Sequence, residues 1–175
     1  MTRHVYVDES KRGGYLLVAS MHATEELAEA RSLMRGLVLK GQRRVHMTKE
    51  SDPRRKVIVA TLVGAGIRAN VYDAGRRYGH ELDARQACLR ALVDDIAPHP
   101  DSMLILEQDD SLLDWDRRCL YAQTRAAGTT SLRYEHRRAA TDQLLGIPDA
   151  IAWCWAKGGD WRRRIAPVVA EVRDV

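Results

Sequence analysis

The sequence contains no phenylalanine, few cysteines and no long apolar run. Because Phe is absent from all 175 residues, we expect Tyr or Trp wherever the core needs an aromatic side chain. No apolar stretch approaches the roughly 20 residues that cross a bilayer, so a membrane span is not expected. The N-terminus enters a strand-like alternation at once, without the apolar segment of a secretory signal, and we therefore expect a cytoplasmic protein.

The three cysteines, Cys88, Cys119 and Cys154, are far apart and form no C-x-x-C pair. Their number and spacing exclude a disulfide framework or a structural zinc site as the organising feature. Each lies in an apolar stretch, and unpaired cysteines are among the residues most often buried in proteins. We therefore predict three buried thiols without a chemical role.

Two families of catalytic motif are also missing. The glycine pairs at 13–14 and 64–66 match no phosphate-binding fingerprint, neither G-x-G-x-x-G nor G-x-x-x-x-G-K-[ST]. No G-x-S-x-G segment is present, so a serine nucleophile elbow is not supported.

The chain is mildly basic, with a net charge of +4 carried mainly by arginine, and this balance favours a polyanionic partner.

The apolar pattern predicts one α/β domain over residues 1–175. Expected strands cover 3–9, 15–21, 43–47 (a short strand or extended piece), 67–72, 103–106 and 131–135. Expected helices cover 24–39, 53–64, 80–96 and 111–126, with a last one around 150–155. A hairpin followed by alternating units predicts a central mixed five-stranded sheet with helices on both faces. The helices within about 24–64 then form an insertion.

Acidic residues follow the predicted strands at three places. Asp8 ends the first strand, Glu107 and Asp109 follow the most apolar strand, and Asp142 and Asp149 bracket the start of the last helix. In open α/β sheets, functional residues gather beyond the carboxyl ends of strands. Converging carboxylates would repel each other unless a cation lay between them, and oxygen donors suit Mg²⁺ or Mn²⁺. Two such ions could activate water and stabilise a leaving oxygen.

The alternative is that these acids are turn residues and helix caps. A cap accounts well for Asp142 and for Asp110, which precedes the helix at 111, and Asp149 could be a first-turn acid, whereas for Asp109 the cap and a functional role are equally supported. Asp8 precedes no helix, so capping cannot explain it. Glu107 and Asp109 are alternate residues that share a face of an extended chain, and their order does not decide which one binds a metal.

Two segments resemble motifs of a large bacterial family of domains of unknown function. Residues 6–10, Y-V-D-E-S, match its opening motif Y-x-D-E-S, and residues 145–152, L-G-I-P-D-A-I-A, match its late motif L-x-x-x-D-x-I-A. A lone histidine after the first helix, here His46, fits the same pattern. That family is placed in the ribonuclease-H-like superfamily with junction resolvases, transposases and Argonaute nuclease domains. Pro148 departs from the pattern, because inside a helix it would cause a kink unless the helix begins there.

The resemblance implies a ribonuclease-H-like fold with divalent-metal ligands at Asp8, at Glu107 or Asp109, and at Asp149, with Asp142 as an additional donor. It also favours His46 as a general acid/base or extra ligand, whereas a lone histidine among apolar neighbours is more often structural.

Arginines precede the acid-bearing last helix and are candidates for binding a nucleic-acid backbone, namely Arg133, Arg137 and Arg138. The alternative for any such cluster is a solvated surface. The last helix is apolar and carries two tryptophans, which is compatible with a homodimer.

The leading hypothesis is a metal-dependent nuclease-like hydrolase acting on DNA or RNA with Mg²⁺ or Mn²⁺. The alternatives are a non-catalytic module on the same fold that binds nucleic acid or protein, and an enzyme for small phosphate esters using the same acids. Salt-sensitive binding without product in any divalent metal would indicate the module.

Overall fold

The computed structural model describes residues 2–175, in which six strands form one mixed sheet. The strands are β1 (Arg3–Ser10), β2 (Tyr15–Ala23), β3 (Arg68–Gly75), β4 (Met103–Glu107), β5 (Arg133–Arg137) and β6 (Val169–Asp174). Their order across the sheet is β5-β4-β1-β2-β3-β6. β1–β2 and β2–β3 pair antiparallel, whereas β1–β4, β4–β5 and β3–β6 pair parallel. The carboxyl ends of β1, β4 and β5 therefore meet at one edge.

The predicted hairpin between β1 and β2 is present, and glycine is required in its turn. Gly14 has a φ of 149°, and a Cβ there would lie 2.8 Å from the carbonyl oxygen of Gly75. Only a residue without a side chain permits this approach of the turn to the end of β3.

Six helices within the described residues cover the sheet. They are α1 (Leu27–Leu37), α2 (Asp52–Gly64), α3 (Glu81–Ile96), α4 (Leu113–Ala126), α5 (Gly146–Lys157) and α6 (Gly159–Ile165). α2 begins as predicted, with Ser51 accepting a hydrogen bond from the Arg54 amide and Pro53 in the first turn, where no intrahelical donor is lost. α5 begins at Gly146, so Pro148 lies in its first turn and causes no kink.

Two cores flank the sheet, and β4 contributes to both. Ile105 belongs to the core beneath α1, α2 and α5, whereas Leu104 and Leu106 belong to the core beneath α3 and α4. All three are at most 1% exposed, as the continuous apolar run predicts for a strand covered on both faces. Tyr6 and Tyr72 are the fully buried aromatic residues, one in each core. The three cysteines are buried and unpaired, as predicted.

The expected sheet of five strands is wrong, because the sheet has six. β6 was missed because its sequence, VAEVRD, is half charged and mostly exposed, as an edge strand with one neighbour permits. The predicted strand at 43–47 is also wrong. Val45 and Met47 are buried, but they anchor the irregular segment between α1 and α2 rather than pair with another strand.

Helix α6 was not predicted, and the other differences are in element boundaries. A 3₁₀ turn, Thr24–Glu26, precedes α1, and β5 lies two residues beyond its predicted position. Both α1 and α2 lie between β2 and β3, in the region that we propose as an insertion. No helix among residues 2–175 combines the length and apolarity needed to span a membrane.

Candidate active site

Asp8 and Glu107 are neighbours at the carboxyl ends of β1 and β4. The parallel register pairs Val7 with Leu106, which places the next residue of each strand side by side on the face of Tyr6. The Asp8 side chain accepts a hydrogen bond from the Glu9 amide at 2.8 Å, and the neighbouring Glu107 carboxylate raises the pKa of Asp8 through its charge. Strand pairing thus fixes two of the three principal candidate acids.

Asp149 is the third acid, and the first turn of α5 holds it over β1. Its Oδ2 accepts a hydrogen bond from the Met47 amide at 2.8 Å, which ties α5 to the segment between α1 and α2. Burial raises the pKa of Asp8 well above its usual range, and the nearby charges of Asp149 and Glu107 raise it further. These effects identify a group of buried carboxyl groups that disfavour one another's ionisation.

The pKa values of the other two acids are raised as well. Burial raises the pKa of Glu107, while the Arg44 guanidinium opposes that shift and Asp149 adds to it. Burial likewise raises the pKa of Asp149, against the hydrogen bond from Met47. A cation would stabilise the ionised form of all three carboxyl groups.

His46 borders the same group. Its Nδ1 lies 3.7 Å from Asp149 Oδ1, and this nitrogen is buried without a hydrogen-bond partner. Burial lowers the pKa of His46, and the positive charges of Arg44 and Lys49 lower it further. The imidazole is therefore neutral near pH 7 and able to accept a proton.

Asp109 lies outside the buried group. It is exposed in the turn after β4 and accepts hydrogen bonds from the Ser111 amide at 2.9 Å and the Ser111 hydroxyl at 2.6 Å. These hydrogen bonds lower the pKa of Asp109. β4 ends at Glu107, so Glu107 is the residue that the structure brings against Asp8.

Asp142 is engaged farther along β1. Its Oδ1 caps the 3₁₀ turn Gln143–Leu145 by accepting from the Leu144 amide at 3.2 Å, and its Oδ2 accepts from the Tyr6 hydroxyl at 3.0 Å. Arg137 Nη1 donates to the same oxygen at 2.7 Å. Tyr6 lies two residues before Asp8 on the same face of β1. Through its contact with Tyr6, Asp142 therefore ties the connection between β5 and α5 to β1.

Two of the candidate phosphate-binding arginines, Arg133 and Arg137, are the first and last residues of β5, and the third, Arg138, follows directly. Arg137 also donates two hydrogen bonds to Glu135, at 2.9 and 2.8 Å, and Arg138 binds Asp110. Arg133 is exposed at the start of β5. Two of these three positive charges thus have acidic partners within the chain.

Sequence reasoning missed a buried ionic network on the opposite face of the sheet. Arg85 in α3 donates to both carboxylate oxygens of Asp116 in α4, at 2.7 and 2.8 Å. His136 Nε2 lies 3.1 Å from Asp116 Oδ2, and Arg85 Nη1 donates to Glu9 at 2.8 Å. The available signal was that Arg85 lies four residues before Leu89, on the apolar stripe of α3.

The donor chemistry of Asp8, Glu107 and Asp149 fits a hard divalent cation, since all three offer carboxylate oxygens. The positions of these three side chains fit a metal ion less well than their chemistry does. Within residues 2–175, no group of three or more His, Cys, Asp or Glu side chains is arranged to hold a metal ion. Glu107 instead faces Arg44, with Nη2 lying 3.5 Å from Oε1.

No protein-family model matches the chain, and a search of curated proteins finds no match. Solved structures do resemble it. RNase HII of Archaeoglobus fulgidus, in a complex with PCNA, aligns with a TM-score of 0.55 and 14% identity, covering 90% of this chain and 73% of that one. A mutant of Bst-RNase HIII aligns with a TM-score of 0.52 and 17% identity over 85% of this chain, which spans only 50% of the other.

These alignments show the fold. The chain has the ribonuclease-H-like fold that the resemblance implied, with one more strand than expected. At 14% and 17% identity, the chemistry of the site must be argued from its own residues.

Proposed function

We propose that the chain is a divalent-metal-dependent nuclease that hydrolyses phosphodiester bonds of DNA or RNA. One observation carries the proposal. Carboxyl groups from three separate elements, Asp8 on β1, Glu107 on β4 and Asp149 on α5, lie near enough to one another to shift their pKa values. Such a concentration of buried negative charge is costly for the fold, and functional sites are where such costs are common.

Asp8, Glu107 and Asp149 would hold Mg²⁺ or Mn²⁺. Bound there, the metal would activate a water molecule and stabilise the leaving oxygen of the phosphodiester. We do not assign ligand roles to Asp109 and Asp142, because Ser111 and Tyr6 with Arg137 already occupy their oxygens.

His46 is the residue that we propose as general base. Its neutral imidazole borders Asp149, and its unpartnered Nδ1 is able to accept a proton from the attacking water. The nearby negative charge of Asp149 would stabilise the imidazolium that forms. General-base catalysis of this kind contributes roughly 10²–10⁴-fold to a rate.

Arg133 and Arg137 of β5 and the adjacent Arg138 would contact the nucleic-acid backbone. Arg133 is exposed, and the carboxyl end of β5 pairs Arg137 with Glu107 in the sheet register. A backbone crossing β5 at this end would therefore pass from the arginines toward the acids, and guanidinium groups suit phosphate oxygens.

A second candidate is a non-catalytic module that binds nucleic acid or protein through the same surface. The observation in its favour is that each acid already has a partner within the chain. Glu107 faces Arg44, Asp149 accepts from the Met47 amide, and Asp8 accepts from the Glu9 amide.

A cleavage assay separates the two candidates. Labelled single-stranded and duplex DNA, single-stranded and duplex RNA, and an RNA–DNA hybrid are incubated with the native chain in Mn²⁺, Mg²⁺ or EDTA. We expect metal-dependent product from the native chain and from Asp109→Asn, and none from Asp8→Asn. Salt-sensitive binding without product in either metal would favour the module, and unchanged cleavage by Asp8→Asn would refute the assignment of the site.

A further inference from the structure

Arg44 is placed at the acids by the irregular segment between α1 and α2. Val45 and Met47 are buried in the core and fix the segment on one side, while Gln143 Nε2 donates to the Arg43 carbonyl at 2.8 Å. Arg44 and His46 both reach the acids, with Arg44 Nη2 lying 3.5 Å from Glu107 Oε1 and His46 Nδ1 lying 3.7 Å from Asp149 Oδ1. The local fold thus presents a guanidinium and an imidazole together.

The Arg44 guanidinium contacts one acid, Glu107, and influences a second acid, Asp149, as well as His46. Nη2 lies 3.5 Å from Glu107 Oε1. The positive charge of Arg44 lowers the pKa of Glu107 and of Asp149, which burial raises. It also lowers the pKa of His46, which burial lowers as well. Nη1 is buried and has no hydrogen-bond partner within the described residues. A buried donor without a partner is costly and points to an acceptor that arrives from outside the chain.

A purely structural role does not account for this geometry. Structural arginines elsewhere in the chain form paired hydrogen bonds, as Arg85 does with Asp116 and Arg137 does with Glu135. Arg44 makes one long contact with Glu107 and keeps its remaining donors free of protein acceptors. Its guanidinium therefore retains the capacity to bind a second oxyanion.

We propose that Arg44 is a substrate-binding residue that donates hydrogen bonds to a non-bridging oxygen of the phosphodiester held at Asp8, Glu107 and Asp149. The proposal rests on the proposed nuclease function and deepens it by naming the residue that positions the reacting phosphate. Guanidinium groups bind phosphate oxygens through a planar fork of donors that the ammonium group of lysine lacks.

The matched control is Arg43, which is exposed and adjacent in sequence and carries the same charge. Binding of a fluorescein-labelled single-stranded DNA and of its RNA counterpart is measured in Ca²⁺, a divalent cation that carboxylate oxygens also bind, over a range of KCl, for the native chain, Arg44→Ala, Arg44→Lys and Arg43→Ala. We expect Arg44→Ala to lose roughly 10- to 100-fold in affinity, the effect of one charged hydrogen-bond donor. The slope of log affinity against log salt concentration should be smaller in magnitude for Arg44→Ala than for Arg43→Ala by about 0.7. This difference is what one phosphate contact with a single strand contributes to the slope.

Arg44→Lys keeps the charge and provides the test if Arg44→Ala does not fold. We expect it to keep the native salt dependence and to lose affinity, because an ammonium group cannot reproduce the fork. The proposal would be overturned if either Arg44 variant had the same affinity and the same salt dependence as Arg43→Ala. It would also be overturned if the native chain bound neither probe.

The cleavage assay in Mn²⁺ distinguishes failure of this proposal from failure of the proposed function. Native cleavage together with Arg44 variants that bind and cleave like Arg43→Ala would leave the nuclease standing and remove Arg44 from its site. Loss of binding in Arg44→Ala without cleavage by the native chain would keep the phosphate contact and reject the nuclease.

Discussion

Asp8 and Glu107 lie side by side at the ends of two parallel strands, and the charge of Glu107 raises the pKa of Asp8. Two acids in such contact cannot both ionise without repulsion, so one proton is retained to higher pH than usual. Burial raises the pKa of both groups, and Asp149 adds its charge from α5. The fold therefore maintains an arrangement that a bound cation would relieve.

Replacing Asp8 by asparagine should stabilise the metal-free chain at neutral pH. Asparagine removes the buried charge and still offers an amide donor to Glu107. Because the folded-state pKa of Asp8 is raised, its contribution to stability is complete below the unfolded value of about 4 and is lost as pH rises through the folded value. Thermal unfolding should give equal Tm values for the native chain and Asp8→Asn at pH below about 4, and a higher Tm for Asp8→Asn at pH 7.

For a domain of this size, each kcal/mol corresponds to about 2–4 °C in Tm. Asp109→Asn serves as the control, because Asp109 is exposed and should not reproduce the gain at pH 7. A Tm difference between Asp8→Asn and the native chain that is independent of pH would contradict the raised pKa of Asp8.

Binding of Mn²⁺ should release protons. Asp8, Glu107 and Asp149 have raised pKa values and are partly protonated as pH falls below neutral, while metal ligands must be ionised. Calorimetric titration at slightly acidic pH, in two buffers of different ionisation enthalpy, should therefore give different apparent heats. The difference should shrink as pH is raised, and equal heats in both buffers at every pH would show that these acids are not the ligands.

Asp142 should matter for stability and not for metal binding. Asp142→Asn removes the anionic partner of Arg137 and weakens the bond from the buried Tyr6 hydroxyl, which should cost about 1–3 kcal/mol. Tyr6→Phe isolates the loss of the hydroxyl alone. Urea unfolding measures the stability, and Mn²⁺ titration of Asp142→Asn should match that of the native chain. A loss of Mn²⁺ affinity comparable to that of Asp8→Asn would place Asp142 among the ligands.

The network on the opposite face should be essential for folding. Asp116→Ala would leave Arg85 buried without its bidentate partner, and breaking a buried pair in this way costs roughly 3–5 kcal/mol. Asp114→Ala is the matched control, since Asp114 lies on the same helix with its side chain 84% exposed. Circular dichroism should show a large fall in Tm for Asp116→Ala and almost none for Asp114→Ala. Equal Tm values for the two variants would mean that the network contributes little to stability.

The sequence was sufficient to predict the fold class and the position of Asp8. Asp8 follows an apolar strand and precedes no helix, so its burial at a strand end could be read directly. The choice between Glu107 and Asp109 could not be made, because alternate residues share a face and only the end of β4 separates them. β6 was missed because a charged edge strand lacks the apolar alternation that identifies central strands.

Arg44 shows why site partners are harder to predict than site acids. In sequence it belongs to one of several arginine pairs, and nothing in the residue pattern distinguishes it from its neighbour Arg43. Its approach to Glu107 depends on how Val45 and Met47 dock into the core, which is a tertiary property.

The measurement that tests the central claim most directly is calorimetric titration of Mn²⁺ and Mg²⁺ into the native chain, Asp8→Asn and Asp109→Asn. If Asp8, Glu107 and Asp149 form a cation site, the native chain and Asp109→Asn should bind Mn²⁺ with similar affinity, and Asp8→Asn should lose that binding while remaining folded. Equal binding by Asp8→Asn and the native chain, or no binding by the native chain, would contradict the account.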